Sequence, residues 1–482
     1  MNGEPPDKNS QKISADQLHR PSILDVTEAK LDSRIARRAK RWASRQAKIA
    51  KKVIDPSARK IRLGEAGTCR GHNIDIGHRE SEWTTPPEVK LQDGSTLRLY
   101  KDGQGMTAAL RAIQSAREQI CLESYIFNSD ETGREFAKAL ADKAKAGVKV
   151  FLIYDSFGSI DSDPAMFLMM RQAGVQMVEF HPIRPWDCKT AYHPTNRDHR
   201  KLLVIDNIAA GLGGLNVGTE YGSGFLARKT RRVPVWRDNS ISIVGPSAAM
   251  FTDCFTRIWR YAHRGGKLAD AQVVQNISFN PDDFKDAISN RFIYKGPDLY
   301  LTSEVGLLAS VSSPASPLVP FLISCLRQAK SSVDLTMAYF APTDNIIMEL
   351  IRCIRRGVKV RLMVAGACDV PVLRLAARSF YEILLSHGVE VYERMGAMMH
   401  SKTMTIDQSR SWVGSTNLDS RSIEFNCELS AIIDNIPFAK QMTDLFEHDI
   451  CYSQKIELHS WRNRPWFDRT VQWVVRQTRY LL

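Results

Sequence analysis

The sequence has no pair of cysteines at the close spacing that zinc-binding and redox motifs use. Its nine cysteines are scattered, none forms a Cys-x-x-Cys pair, and Cys121 and Cys353 stand inside apolar runs. No group of His, Cys and Asp residues has the spacing of a metal site. We therefore predict reduced thiols, a reducing cytoplasmic compartment, and a protein that uses neither a cofactor nor a metal.

Long apolar segments are also missing. The first residues include Glu4 and Asp7 and form no apolar core of a signal peptide. No uninterrupted run of ~20 apolar residues, the length that spans a bilayer, occurs. The closest stretch, residues 305–326, is broken by serines and prolines. These absences argue against an integral membrane protein.

The composition is that of an ordinary globular protein, with 43% hydrophobic and 25% charged residues. A chain of 482 residues is long enough for two or three domains. The net charge of +13 indicates anionic partners, and both an anionic phospholipid surface and nucleic acid meet that description.

One motif occurs in both halves of the chain. Each copy reads His-x-Lys-x-x-x-x-Asp and continues to an asparagine 17 residues after the histidine. The first copy consists of His199, Lys201, Asp206 and Asn216, and the second consists of His400, Lys402, Asp407 and Asn417. A single copy is a weak signal, but two copies with matching tails predict one shared active site.

The spacing of histidine and lysine suits phosphoryl transfer. Residues two apart on a β-strand lie on the same face, so each imidazole stands beside an ammonium group. The apolar run at 202–205 indicates such a strand, and residues 403–406 do so more weakly. A neutral imidazole can attack phosphorus while the neighbouring cation, rather than a metal, neutralises the phosphate.

An imidazole in such a role usually needs a carboxylate to orient it. Asp206 and Asp407 follow their histidines by seven residues, an odd step that points them to the opposite strand face. We keep them among the site residues as members of the motif, but expect that at the strand end they have a structural role or support the site residues indirectly. Asp238 and Glu428 open the apolar runs after the two tails, and we predict that they orient the imidazoles, each reaching to the opposite half.

A repeated order of helices and strands surrounds the motifs. The halves share the sequence Gly-Val-Lys-Val, at 147–150 and 357–360, within the same succession of helix and strand. Alternating strands and helices predict an α/β fold that is duplicated once. Because neither half holds both a nucleophile and an acid, the two halves must face each other across one active site.

The composition along the chain divides it into six segments. They are a disordered N-terminus (1–27), a basic amphipathic helix with a linker (28–94), the first lobe (95–262), a linker (263–297), the second lobe (298–453) and an aromatic-basic C-terminal helix (454–482). Both terminal helices combine Trp with basic residues, which is typical of a segment on an anionic membrane surface. The alternative for each is a helix packed on its own domain; RNA contact is a third, weaker reading of the first.

The two motifs, together with Trp236-Arg237-Asp238, residues 414–422 and the C-terminus, resemble the phospholipase D superfamily. Over roughly residues 95–482 the chain is most similar to bacterial cardiolipin synthases. The resemblance implies two duplicated phospholipase D-like α/β/α lobes, each with a central mixed sheet. Familiar members often begin with two membrane-spanning helices, which this chain lacks. We therefore expect a peripheral protein on the cytoplasmic face of the inner membrane.

The resemblance also implies a reaction in which one histidine becomes a phosphohistidine and the other protonates the leaving alcohol. We assign His199 as the nucleophile and His400 as the general acid and later the base. The groups expected to bind the phosphoryl oxygens are Lys201, Lys402, Asn216 and Asn417. The predicted product is cardiolipin, made from phosphatidylglycerol or a related phospholipid donor.

Other functions use the same residues. A phospholipase D hydrolase would differ only in taking water as the acceptor. A nuclease would use the charge of +13 to bind a phosphate backbone, although the aromatic-basic termini favour a lipid interface and make a nucleic-acid partner the weaker prediction. A scaffold without activity is disfavoured because both motifs are complete. The lipid donor, the acceptor alcohol and the oligomeric state stay open.

Overall fold

The computed structural model describes residues 83–183, 195–222, 236–263, 299–310 and 316–477. The predicted disordered N-terminus, the basic amphipathic helix and nearly all of the linker at 263–297 lie outside these residues. The described part of the predicted first linker, 83–94, contains a short strand, so the first sheet begins slightly before residue 95.

An eight-stranded mixed sheet forms the centre of the first lobe. In chain order its strands are β1 (Val89–Lys90), β2 (Thr96–Lys101), β3 (Gln119–Ser124), β4 (Lys149–Asp155), β5 (Gln176–Phe180), β6 (Leu202–Ile205), β7 (Ala209–Gly213) and β8 (Asn239–Val244). They lie side by side in the order β1-β2-β8-β7-β6-β3-β4-β5. β3, β4 and β5 run parallel to one another, and the other neighbouring pairs are antiparallel.

Helices cover both faces of this sheet. They are α1 (Gln104–Ser115), α2 (Glu131–Lys145), α3 (Pro164–Gln172) and α4 (Ala249–His263). α2 and α3 each begin after an aspartate, Asp130 or Asp163, whose carboxylate accepts a hydrogen bond from a backbone N–H of the first turn. α1, α2 and α3 bury Ile113, Phe136 and Met170 against one face, and α4 covers the opposite face.

The second lobe repeats this plan around a nine-stranded sheet in the order β17-β13-β12-β11-β14-β15-β16-β10-β9. Its strands are β9 (Leu299–Leu301), β10 (Val305–Ser310), β11 (Ser332–Met337), β12 (Lys359–Ala365), β13 (Glu390–Arg394), β14 (Lys402–Ile406), β15 (Arg410–Gly414), β16 (Glu428–Asp434) and β17 (Ser453–Ile456). Its helices are α5 (Leu318–Gln328), α6 (Asp344–Arg355), α7 (Pro371–Arg378), α8 (Tyr381–Ser386), α9 (Ile436–Ile450), α10 (Leu458–Arg462) and α11 (Trp466–Gln477). Three short helical turns complete the described elements: Thr219–Tyr221, Pro246–Ala248 and Arg421–Phe425.

The prediction of one helix over 454–482 is corrected by the structure. This segment opens with β17, which pairs with β13, and continues as α10 and α11. On α11, Val475 packs into the second lobe, while Trp466 and Trp473 are 75% and 63% exposed. The helix therefore has one face docked on its own lobe and one exposed aromatic face, and contact of the exposed face with a membrane stays a prediction.

The two sheets face each other across a common core. Ile241 and Phe251 of the first lobe lie in the same apolar cluster as Leu429 and Phe438 of the second. α4 and α9 lie between the sheets and contact strands of both lobes. The burial of this apolar surface holds the lobes together. The predicted α/β fold, with two duplicated lobes that face each other, is confirmed.

Candidate active site

Backbone hydrogen bonds tie each His-x-Lys motif to the opposite lobe. The N–H of His199 donates to the carbonyl oxygen of Cys427 over 2.9 Å, and the N–H of His400 donates to that of Arg237 over 2.8 Å. The residue that follows each of these carbonyl groups is one of the two carboxylates predicted to orient an imidazole. These bonds therefore place each carboxylate beside the histidine of the other lobe.

The imidazoles and carboxylates form crossed pairs. Nδ1 of His199 lies 3.1 Å from Oε1 of Glu428, and Nδ1 of His400 lies 2.8 Å from Oδ2 of Asp238. All four side chains are buried. Because each carboxylate holds Nδ1, Nε2 is the nitrogen available for reaction.

Both imidazoles line one cleft of about 380 Å³ between the lobes. Its walls combine aromatic rings, amides, two arginines, two acids and a short apolar rim. The other lining residues are Tyr125, Ile126, Arg197, Asn216, Tyr221, Trp236, Tyr339, Asp369, Val370, Val372, Leu373, Asn417, Asp419, Arg421, Ser422 and Asn426.

The two lysines are buried beside their histidines. Nζ of Lys201 donates to the backbone oxygen of His199 over 2.5 Å, and Nζ of Lys402 donates in the same way to that of His400. Burial lowers the pKa of Lys201 to about 7 and that of Lys402 to about 8, against the pull of the buried carboxylates. An anionic phosphate in the cleft would favour the charged form of both ammonium groups.

Burial also lowers the pKa of both imidazoles, that of His400 to about 4 and that of His199 well below the usual range. Lys201 and Lys402 lower the pKa of His199 further. At His400, the hydrogen bond with Asp238 offsets part of the shift. In the free protein both rings are therefore neutral near pH 7, which is the state that a nucleophile requires.

The two orienting carboxylates differ in their proton affinity. Burial raises the pKa of Glu428 to about 7, although Lys201 and the hydroxyl of Ser415 oppose this shift. Burial acts on Asp238 in the same direction, but the hydrogen bond with His400, the charges of His400 and Lys402 and the N–H of Asn239 together outweigh it and leave the pKa below its usual value. Asp238 is thus ionised at neutral pH, whereas Glu428 titrates near it.

Two amides complete the predicted phosphate contacts. Oδ1 of Asn216 accepts from the N–H of Ile126 over 3.2 Å, and Oδ1 of Asn417 accepts from the N–H of Tyr339 over 3.2 Å. Nδ2 of Asn216 donates to the hydroxyl of Tyr221 over 2.8 Å. Since the backbone engages each carbonyl oxygen, the amides offer N–H donors to a ligand of the cleft.

The structure does not bring Asp206 and Asp407 into the cleft, which corrects their inclusion among the site residues. Each occupies a positive-φ position, at 51° and 52°, in the turn that joins its strand to the next. Aspartate tolerates this conformation better than most residues. Each carboxylate accepts hydrogen bonds from three consecutive backbone N–H groups. The donors are Arg117, Glu118 and Gln119 to Asp206, and Lys330, Ser331 and Ser332 to Asp407.

Sequence reasoning missed the aromatic residues beside the imidazoles. The rings of Tyr221, Trp236 and Tyr339 lie 5.5, 5.2 and 6.4 Å from the ring of His400. The ring of Tyr125 lies 5.2 Å from that of His199. Trp236 stands two residues before Asp238, so it could have been noticed. The three tyrosines have no distinctive spacing.

Within the described ranges, no group of three or more His, Cys, Asp or Glu side chains could hold a metal ion. Over the same residues, none of the helices has both the length and the apolar composition needed to span a bilayer.

Known proteins resemble both the sequence and the fold. The family model described as "Cardiolipin synthase, PLD-like domain" matches residues 109–222 and 322–450. Cardiolipin synthase 1 of Bacillus cereus is 30% identical over 377 residues, which cover 77% of this chain and 70% of that protein. Cardiolipin synthase of Alkalihalophilus pseudofirmus is 29% identical over 78% of this chain and 70% of that protein. Among solved structures, phosphatidylserine synthase of Haemophilus influenzae superposes with a TM-score of 0.60 at 13% identity, over 82% of this chain and 97% of that one.

The duplicated lobes, the shared cleft and the family match define a phospholipase D-like protein, and the chain belongs to the cardiolipin synthase family of that group. It is an enzyme of the phospholipase D-type phosphatidyltransferase class.

Proposed function

We propose that this protein makes cardiolipin by transferring a phosphatidyl group from phosphatidylglycerol, or a related phospholipid, to a second phosphatidylglycerol. The observation that carries the proposal is the pair of crossed imidazole–carboxylate contacts on the walls of one cleft. The names of the relatives, which are cardiolipin synthases, support this choice of product.

The reaction has two steps: the first forms a bond between His199 and phosphorus, and the second breaks that bond. His400 takes up a proton at Nε2 when the anionic phosphodiester occupies the cleft, because the negative charge favours the imidazolium. Nε2 of His199 then attacks the donor phosphorus, and the bond to the leaving glycerol oxygen breaks as Nε2 of His400 gives that oxygen its proton. An acceptor hydroxyl then returns a proton to His400 while its oxygen attacks phosphorus. The bond between phosphorus and His199 breaks, and its electron pair returns to the imidazole.

The electrostatics of the cleft support this division of roles. Burial and two lysines keep His199 neutral and nucleophilic. His400 has an ionised partner, Asp238, which raises its pKa, and aromatic neighbours that stabilise the imidazolium formed when the anionic substrate binds. Lysine ammonium groups and asparagine amides would hold the phosphoryl oxygens as negative charge develops on them. These groups are Lys201, Lys402, Asn216 and Asn417.

Purified protein mixed with vesicles of labelled phosphatidylglycerol tests the proposal. Cardiolipin and glycerol are expected as products. Formation of phosphatidic acid alone, with phosphatidylglycerol present as acceptor, would instead identify a hydrolase. The absence of any lipid product would contradict both activities.

We also propose that the protein works from the cytoplasmic surface of the inner membrane as a peripheral protein. On α11, Trp466, Phe467, Trp473 and Val474 are between 41% and 75% exposed. Exposed indole rings beside basic residues are favoured in the headgroup zone of a bilayer. Replacing Trp466 and Trp473 by serine is expected to weaken cosedimentation with anionic vesicles and to leave thermal stability unchanged. Equal binding of variant and wild type would refute this contact.

A further inference from the structure

Charged side chains of both signs line the cleft, namely Arg197, Arg421, Asp369 and Asp419. Asp369 is on the side of His400, because Tyr339 contacts both of them. After burial and the lysines, Arg421 contributes to the lowered pKa of His199. Asp369 opposes the effect of burial on the pKa of Lys402.

A tyrosine holds the Asp369 carboxylate in place. The hydroxyl of Tyr339 lies 2.8 and 3.0 Å from the two oxygens of Asp369. The ring of the same tyrosine stands edge-on, 6.4 Å from the imidazole of His400. Asp369 is exposed, and a carboxylate group has about four acceptor positions, so Tyr339 and the thiol of Cys368, whose Sγ lies 3.7 Å from Oδ1, leave capacity for a ligand.

The proposed reaction places the alcohol on this side of the cleft. The alcohol oxygen exchanges its proton with His400 and lies in line with His199 across the phosphorus. The remaining atoms of the alcohol therefore extend past His400, where Asp369 and the rings of Trp236 and Tyr339 line the wall. A carboxylate can only accept hydrogen bonds, and hydroxyl groups can donate them.

Resting on the proposed function, we propose that Asp369 is the specificity residue for the alcohol and accepts hydrogen bonds from the free hydroxyls of a glycerol group. The same contact serves the glycerol that leaves and the glycerol headgroup of the lipid that enters, because both occupy one position in the two steps. Trp236 packs beside the carbon atoms of this group and limits the access of water, which competes as acceptor.

A competition between two alcohols tests the assignment. The protein is supplied with phosphatidylglycerol vesicles, labelled glycerol and 1-propanol, and the labelled phosphatidylglycerol and the phosphatidylpropanol are both measured. Propanol can accept the phosphatidyl group but has no second hydroxyl. Asp369→Ala is expected to lower the ratio of glycerol to propanol product about tenfold, the effect of losing one hydrogen bond to a charged group. Asp369→Asn keeps an acceptor oxygen and should recover part of the ratio.

Two controls separate recognition from structure. Asp444→Ala removes an exposed carboxylate on α9 outside the cleft and should leave the ratio unchanged. Ethanolamine as a third acceptor shows whether the carboxylate recognises an ammonium group instead. The assignment is overturned if both products fall equally in Asp369→Ala, or if only ethanolamine transfer falls. Failure of the wild type to form a product with any alcohol would instead refute the proposed function itself.

Discussion

His199 and His400 share one motif and one backbone geometry, but their surroundings differ. Arg421, Ser422 and Asn426 line the cleft beside His199. The positions that correspond to Ser422 and Asn426 in the first lobe are Tyr221 and Trp236, and both of these rings contact His400. The first imidazole thus has one aromatic neighbour, Tyr125, in a largely polar and cationic setting, whereas the second has three aromatic neighbours.

A second difference lies in the support of the carboxylates. Ser415 donates a hydrogen bond to Glu428. The corresponding residue of the first lobe is Gly214, where a Cβ would stand 2.3 Å from a carboxylate oxygen of Asp238. Duplication has therefore repeated the positions of the imidazoles, while the proton affinities of the two carboxylates that contact them differ.

The largest expected effect tests whether the two histidines have different roles. His199→Ala and His400→Ala should each lower kcat on phosphatidylglycerol by more than about 10⁴-fold. With a phosphatidyl ester of p-nitrophenol, whose leaving group needs no acid, His400→Ala should still release one equivalent of p-nitrophenol and His199→Ala should release none. The control is the exposed His459→Ala, with wild-type turnover. A burst in His199→Ala but not in His400→Ala would reverse the assignment.

The next effect distinguishes the two carboxylates. Asp238→Asn and Glu428→Gln should each lower kcat about 10²- to 10³-fold, because the imidazole loses the partner that fixes its tautomer. Asp238 raises the pKa of His400, so Asp238→Asn should move the high-pH limb of the rate profile to lower pH. Burial raises the pKa of Glu428 to about 7, so Glu428→Gln should remove a rise in rate near that pH. Identical profiles for both variants would argue against separate pairs.

A smaller effect compares the supports of the carboxylates. Ser415→Ala should lower kcat about tenfold, as expected for the loss of one hydrogen bond to a charged group. Gly214→Ala should lower kcat further, because its Cβ would displace the carboxylate of Asp238. The measurement is kcat for the two variants, with thermal unfolding to confirm that both fold. Equal rates for wild type and Gly214→Ala would show that Asp238 can move without cost.

The smallest effect on turnover is expected where the lobes are most alike. Asp206→Ala and Asp407→Ala should lower the free energy of unfolding by about 1–2 kcal/mol, the range for a lost capping group, with little change in kcat. In both cases burial acts against the shift, but the N–H donors lower the carboxylate pKa below 3.8. The contribution is therefore complete above about pH 4 and disappears as pH falls through the folded-state pKa. Chemical denaturation of wild type and variants at pH 7 and pH 3 measures this difference.

The sequence predicts the parts of the site that depend on spacing along one strand. The two-residue step from histidine to lysine is of this kind, and the odd step to Asp206 correctly argued against a contact with its own histidine. The positions of Asp238 and Glu428 at the start of apolar runs indicated them as partners, and the structure pairs each with the other lobe's histidine. Tyr339 and Asp369 meet because they follow the neighbouring strands β11 and β12, and no periodic signal in the sequence marks them.

Short polar edge strands were also beyond sequence reasoning. β17 has two exposed residues, Gln454 and Lys455, between buried Ser453 and Ile456, so four residues carry no clear apolar alternation. Its strand conformation depends on pairing with β13, which is distant in the chain. Because the residues that follow are aromatic and basic, the sequence predicts one helix over 454–482, which includes most of this strand.

The crossed contacts also determine how far the two copies can diverge. Each half supplies the carboxylate for the other, so a single lobe could assemble a complete catalytic unit only as a homodimer. Identical subunits would have to carry the same residues on both sides of the phosphorus. Joining the halves in one polypeptide removes that restriction, and a replacement can then tune one imidazole while the other keeps its original neighbours.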